Sequence, residues 1–475
     1  MKKRILINIY ISICLLMFSL IIGQVFFSNY SENKIDIISY YSLILILYVL
    51  ICAYSCKYKL DRIYYLYILF YIVFTFGNVI CRFIFNFNDD SLIYLRSIIS
   101  DENLFPAIKL SCYSLISLNL GVLVAKLNRN KIYNDKNIIN NSINLINMRK
   151  IAIIVIIFSF PFAIKDLATK LLASSTGGYG ATFSNVSYGL ANLTANIVPY
   201  FYLGLLIILT SYKYSYTKAR LVFYILIIYS LIQIMIGNRG LPIIQLITSM
   251  LVWHNMIKPI KKNTVIKIAI SFMPLSIFLA MMSEVRVYPL AMWIPKMIEM
   301  LKSSEIYTYI FKIINEMGTA IYPIAATIVC IPKYINFKFG STFLYSFALI
   351  FPNLSTNQSI FKQYTDLPNV ISKFFGVPFG GSILQEGYAN FGLLCVFFMF
   401  LMGIFIVKLD NWVYKRINYD PIIFPLYAGV ISQILWSVRN NIAPIVVYFM
   451  RYIVVIYIFY RIMILIGVKD NKRRS

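Results

Sequence analysis

Three arginines stand at the ends of long apolar runs, where a permanent charge is costly unless something meets it. They are Arg239 in Ile236-Gly237-Asn238-Arg239-Gly240-Leu241-Pro242, Arg286 in Ser283-Glu284-Val285-Arg286, and Arg439 in Trp436-Ser437-Val438-Arg439-Asn440-Asn441. A guanidinium is planar and always charged, and several such forks around one cavity suit the oxygens of a pyrophosphate. Glycine beside Arg239 lets the backbone turn sharply and approach a ligand, and Asn238 tolerates the conformations such turns need. The plain alternative for each arginine is an interfacial side chain reaching lipid headgroups. Three carboxylates accompany them. Glu386, in Ser382-Ile383-Leu384-Gln385-Glu386, and Glu316, in Asn315-Glu316-Met317-Gly318, are candidates for a general base that takes a proton from a hydroxyl. Ser382 and Gln385 have capping-box spacing, so Glu386 also suits a helix start. Glu284 reads either as a ligand or as a local partner of Arg286.

Other chemistries lack their residues. The chain has one histidine, His254, and seven cysteines, with no metal-ligand spacing among them. Cys52 and Cys56, one helical turn apart, read as packing residues. No phosphate-binding glycine loop, His-Glu-x-x-His or Gly-x-Ser-x-Gly pattern occurs, so NTP turnover, zinc hydrolysis and serine catalysis have no support. Neither a cofactor nor a metal is implied.

The elements that must position these groups are membrane helices. Sixty per cent of the residues are hydrophobic and 13% charged, with a mean hydropathy of +0.75, which describes a chain solvated by lipid. Apolar windows place about twelve transmembrane helices, near 5–27, 40–56, 63–85, 106–127, 151–165, 194–211, 220–236, 241–257, 264–282, 387–407, 422–438 and 443–466. The expected fold is an all-α polytopic membrane protein forming a single integral membrane domain over 1–475. The first run follows Lys2-Lys3-Arg4 and reads as an uncleaved span.

Basic residues fall in every second loop, among them Lys57, Lys59 and Arg62, then Arg149 and Lys150, Lys258 and Lys261, Lys415 and Arg416, and Lys472 to Arg474. That asymmetry makes both termini cytoplasmic and accounts for the net charge of +26 without nucleic acid as a partner. His254 falls on the cytoplasmic side, whereas all three arginines fall on the other. Ser174 to Gly180 reads as a flexible outer loop. A much larger outer segment, 283–386, joins spans nine and ten. Within it Trp293 to Glu316 reads as an amphipathic surface helix, and Gly318 to Ile331 and Ser341 to Phe351 as re-entrant helices, with a hairpin through the bilayer as the alternative. Arg82 and Arg451 lie deeper and read as partners inside the bundle.

The hairpin Gly237-Asn238-Arg239-Gly240, the turn Asn315-Glu316-Met317-Gly318, the stretch Ser382-x-x-x-Glu386-x-Tyr388-x-Asn390-Phe391-Gly392 and the late Trp436-x-x-Arg439 together resemble the oligosaccharide repeat-unit polymerases of the O-antigen polymerase (Wzy) type. The resemblance covers most of the chain in topology and short patches in sequence. It implies a GT-C-type membrane glycosyltransferase on the outer face of the cytoplasmic membrane. Undecaprenyl-pyrophosphate-linked oligosaccharide is then both donor and acceptor, the product is O-antigen or capsule, and a chain-length regulator and a flippase are partners. The residue chemistry is compatible. Breaking a glycosyl-pyrophosphate bond develops negative charge that arginines can stabilise: Arg239, Arg286 and Arg439, with Asn238, Glu284 and Tyr388 as further substrate-binding candidates. Glu386 is the first choice of base and Glu316 the second. A lipid-linked oligosaccharide flippase is the alternative from another class, and the long outer segment counts against it. An O-antigen ligase would be expected to carry a histidine in that segment, and none occurs there.

Overall fold

The computed structural model describes residues 2–29, 34–87, 92–127, 142–184, 190–238, 240–261, 263–264, 267, 277–278, 281, 284–285, 288–303, 306–351, 366–417 and 419–474. Among these there is no strand, and eleven helices are long and apolar enough to cross a membrane. In order, the helices used below are α1 (Lys2–Asn29), α2 (Lys34–Ser55), α3 (Ile63–Val79), α4 (Ile93–Ile98), α5 (Asp101–Leu127), α6 (Ser142–Ser184), α7 (Leu190–Ser211), α8 (Tyr216–Met235) and α9 (Gly240–Val252). After them come α10 (Trp293–Ser303), α11 (Ile306–Met317), α12 (Ile321–Cys330), α13 (Ser341–Ala348), α14 (Leu367–Phe375), α15 (Ile383–Phe391), α16 (Cys395–Arg416), α17 (Ile423–Trp436), α18 (Ala443–Val447) and α19 (Val455–Arg474).

Four points in the sequence reading need comment. The span expected at 264–282 lies largely outside the described residues. The span expected at 422–438 is the short α17, whose residues from Ile423 to Leu435 are all buried, so it is a core element wrapped by other helices. In the large loop, α11 runs through a tight turn at Gly318–Ala320 into α12, and Thr308–Cys330 has the length and hydropathy of a crossing segment. The Ser174–Gly180 stretch, expected as a flexible loop, is helical as the end of α6. There the Ser175 hydroxyl donates to Leu172 O at 2.7 Å and Thr176 to Leu172 O at 3.2 Å, so the hydroxyls turn back onto the helix rather than supporting a turn.

Helices in lipid gain little from burying one apolar face against another, so close packing of small residues decides which of them pair. Helix α5 is the most buried, and it meets α16 backbone to backbone. A Cβ on Gly121 would lie 2.1 Å from Phe400 O, and one on Gly403 2.3 Å from Leu118 O. Ser117 Oγ donates to Val396 O at 2.7 Å along the same seam. At the end of the bundle that carries Lys415 and Arg416, Arg62 donates to Asp410 at 3.3 Å and stacks over Tyr414, its Cζ 3.4 Å from the ring centroid. Asp410 also accepts from the Tyr427 hydroxyl at 2.8 Å. Both charges are buried, so each depends on the other. His254 caps the end of α9 locally, its Nδ1 accepting the Ile260 N–H at 3.0 Å.

Asp410→Ala removes the nearer carboxylate of the buried Arg62 guanidinium and leaves it with Asp61 at 3.9 Å. It is expected to destabilise the fold by about 3–5 kcal/mol. Thermal unfolding in detergent should show this loss, and the double change Arg62→Met with Asp410→Leu should recover most of it; equal losses in both would mean that the pair carries no such dependence.

Candidate active site

Helix α17 stops because its sequence cannot continue it. After Trp436 the chain tightens through Ser437–Arg439 and becomes extended at Asn440, with φ −150° and ψ 171°. Asn440 Oδ1 takes the Asn441 N–H at 2.8 Å, and Pro444 sits in the first turn of α18. A break of this kind inside lipid-facing helices leaves backbone groups that need partners within the protein. Glu386 supplies one. Its Oε2 accepts the Ile442 N–H at 2.7 Å, at the start of α18 where a carboxylate is favoured. Glu386 is 1% exposed, and its other oxygen has no partner among the described residues. The capping box is also formed: Ser382 Oγ accepts the Leu384 N–H at 3.2 Å, and Gln385 Oε1 accepts the Ser382 N–H at 3.1 Å.

Three of the sequence patches meet at this break. The Gly240 backbone lies flat on the Trp436 indole, where a Cβ would come within 2.3 Å of the ring. Gly381 presses on the extended segment, its Cβ position 3.3 Å from Asn440 Cα. Arg439 Nη2 donates to Thr319 Oγ1 at 3.0 Å, and that hydroxyl donates to Glu316 O at 2.8 Å. The turn carrying Glu316 is held by α3. A Cβ on Gly318 would lie 1.8 Å from Asn78 N, and Asn78 Nδ2 donates to Asn315 Oδ1 at 2.6 Å. Arg439, Thr319, Tyr322, Gly380 and Gly381 border a cavity of about 110 Å³.

The other predicted site residues are distributed as follows. Arg239 and Arg286 lie outside the described residues. Gly237, with φ +104°, makes the turn before Arg239, and Asn238 lines a second, larger cavity of about 300 Å³. Glu316 is half-buried. Glu284 pairs with Lys312 on α11. Tyr388 reaches toward Ile331 O at 3.5 Å and packs on Phe337, away from the Arg439 cavity. Of the two deeper arginines, Arg82 pairs with Asp101 at 2.7 Å. Arg451 donates to Ile350 O and Leu349 O at 2.8 and 2.6 Å, and also to Asn196. Asn390, within the patch around Glu386, is an organiser: its Oδ1 accepts the Gly340 N–H at 2.8 Å and its Nδ2 donates to Thr342 at 2.7 Å.

The geometry assembles, around one arginine, the patches on which the resemblance rested. The O-antigen polysaccharide polymerase Wzy family matches residues 8–471. The chain belongs to that family. No curated protein and no solved structure matches it. Wzy-type polymerisation of O-antigen repeat units is therefore the general activity, and the chain is a multi-pass membrane polymerase of the glycosyltransferase kind. Reading the sequence for charge overlooked Gly77, Asn78 and Thr319 beside the candidate site. A usable signal was present, since an adjacent Gly and Asn in the middle of an apolar span usually mark a close helix contact.

The contact at Gly318 has a built-in control in Gly380, whose Cβ position meets nothing within 4 Å. Gly318→Ala must push α3 from the Glu316 turn and is expected to cost about 1–3 kcal/mol along with most of the polymerising activity. Gly380→Ala should leave the stability unchanged. Melting curves and polymer ladders of the two variants check the contrast.

Proposed function

We propose that this protein joins polyprenyl-pyrophosphate-linked oligosaccharide repeat units into a surface polysaccharide, O-antigen or capsule. It would work on the outer face of the cytoplasmic membrane, with both termini in the cytoplasm. The observation that supports this most is the convergence of the Glu316 turn, the Gly380–Glu386 stretch and Arg439 at the break after α17, in a chain that one polymerase family spans almost end to end. In this reading the hydroxyl of the acceptor's sugar attacks the anomeric carbon of the donor chain. The new C–O bond forms as the bond to the pyrophosphate breaks, and the lipid pyrophosphate leaves with the electron pair. Arg439, with Arg239 and Arg286, stabilises that leaving group, and the reading requires no metal.

The proton must go to a carboxylate. Glu386 is enclosed and engaged with Ile442 N–H, which suits it to hold the Arg439 segment in place. Glu316 is partly accessible, and its backbone carbonyl shares the hydroxyl that Arg439 grips. We therefore assign the base to Glu316 and a positioning role to Glu386. The cavity of about 110 Å³ is smaller than the roughly 300–1,000 Å³ of small-molecule sites, so substrate entry would have to widen it. A chain-length regulator and a flippase remain partners proposed from the family alone.

Purified protein in lipid, given an undecaprenyl-pyrophosphate repeat unit, should produce a ladder of polymer lengths; a parent protein that makes none would overturn the enzyme reading. Glu316→Gln should cut the rate by about 10²–10⁴-fold with the fold intact. Glu386→Gln keeps an acceptor for Ile442 N–H and should retain most activity, whereas Glu386→Ala should lose both stability and ladder. A dead but well-folded Glu386→Gln beside an active Glu316→Gln would reverse the two assignments. Arg439→Lys, which keeps charge but not the fork, is expected to be nearly as impaired as Arg439→Ala.

A further inference from the structure

The cavity of about 300 Å³ that Asn238 lines is bounded by α6, α7, α8, α9, α17 and the stretch from α18 toward α19. Among the described residues its charged lining is Asp166 and Lys170, which neutralise one another at 2.7 Å. The rest of its polar wall is carboxamide and phenol: Gln233, Asn238, Gln245 and Gln433, with Tyr229, Tyr448 and Tyr452. A neutral wall of this sort does not compensate a phosphate. A carboxamide offers both donors and acceptors, matching a hydroxyl that does the same, and tyrosine rings give apolar faces for the C–H side of a sugar ring.

Two of these groups have unmet hydrogen bonds in deeply buried positions. Gln245 Oε1 and Tyr448 Oη are buried without a partner among the described residues, and their residues are 8% and 6% exposed. Other polar groups nearby are satisfied: Tyr202 Oη bonds to Thr248 at 2.6 Å and to Gln245 O at 3.0 Å. An unpartnered amide oxygen facing a neutral cavity is an acceptor kept for a ligand hydroxyl. The cavity is also joined to the Arg439 break. Gln433 and Trp436 lie one helical turn apart on α17, and Trp436 carries the Gly240 contact.

We propose that this carboxamide cavity is a sugar subsite, holding an uncharged monosaccharide of the lipid-linked repeat unit while its pyrophosphate lies toward Arg439. The inference rests on the polymerase reading and adds to it where sugar identity is read. Gln245 and Gln433 are the specificity-determining residues.

The test compares two probes on the full-length protein in lipid nanodiscs: lipid-linked repeat units extracted from host cells lacking this polymerase, and undecaprenyl pyrophosphate bearing no sugar. The parent is expected to prefer the sugar-bearing lipid by about tenfold or more, and Gln245→Met with Gln433→Met to reduce that preference to about threefold or less, because a site built around hydroxyls discriminates through them. Affinity for the sugar-free lipid and the melting temperature should stay at parent values; the single variant Gln433→Met, expected to lose part of the preference, serves if the double variant does not fold. A parent without preference, or variants that keep it, would overturn the subsite. A preference that the variants lose, in a protein that makes no polymer ladder, would instead leave the subsite standing and remove the polymerase reading.

Discussion

The bond from the Ile442 N–H to the Glu386 carboxylate is the interaction on which the arrangement turns. Helix α17 ends inside the bundle, and hydrocarbon offers no water to its loose backbone groups. Only a protein side chain can meet them. Glu386 does so from the start of α15, where its own capping box fixes it. That one contact ties the segment after α17 to the stretch Gly380–Gly381, and Arg439 three residues earlier is thereby held in register with Thr319. An arginine on an uninterrupted helix would have stacked along the bundle. Placed on a broken one, it faces a cavity.

The same break separates two environments. On one side Arg439, Thr319 and glycine backbone border a small cationic cavity. On the other, carboxamides and tyrosines, Gln433 of α17 among them, border a larger one. A substrate with an anionic head and an uncharged, hydroxyl-rich extension presents the same two chemistries in sequence. The match is a matter of charge placement and hydrogen-bond capacity rather than of shape alone.

Around this centre the helices are held mostly without charge. The α5–α16 seam and the α3 contact at Gly318 work by removing side chains so that backbones touch, which is how helices associate where the solvent is as apolar as they are. Among the described residues Arg62 and Asp410 form a buried pair, Arg82 meets the partly exposed Asp101, and Arg451 is met by the Ile350 and Leu349 carbonyls rather than by a carboxylate.

Much of this was legible in the chain itself. Length and hydropathy alone require a multi-pass helical protein, because lipid admits no other structure for such runs. The motif patches also marked Asn315–Gly318 and Trp436–Arg439 as places where a helix stops and Ser382–Glu386 as one where a helix starts, since Gly, Asn and capping residues act locally. What the chain could not tell was which of those stops face one another. That depends on pairings between residues far apart in sequence, such as Gly77 with Gly318 and Gly381 with Asn440, which leave no local periodicity. That protein rather than lipid surrounds α17 could not be read, because an apolar run looks the same in either setting. The burial of Glu386 against Ile442 is likewise decided by the fold. The glutamines of the neutral cavity drew no notice, since a single amide in an apolar helix acquires meaning only when three others are brought to the same wall.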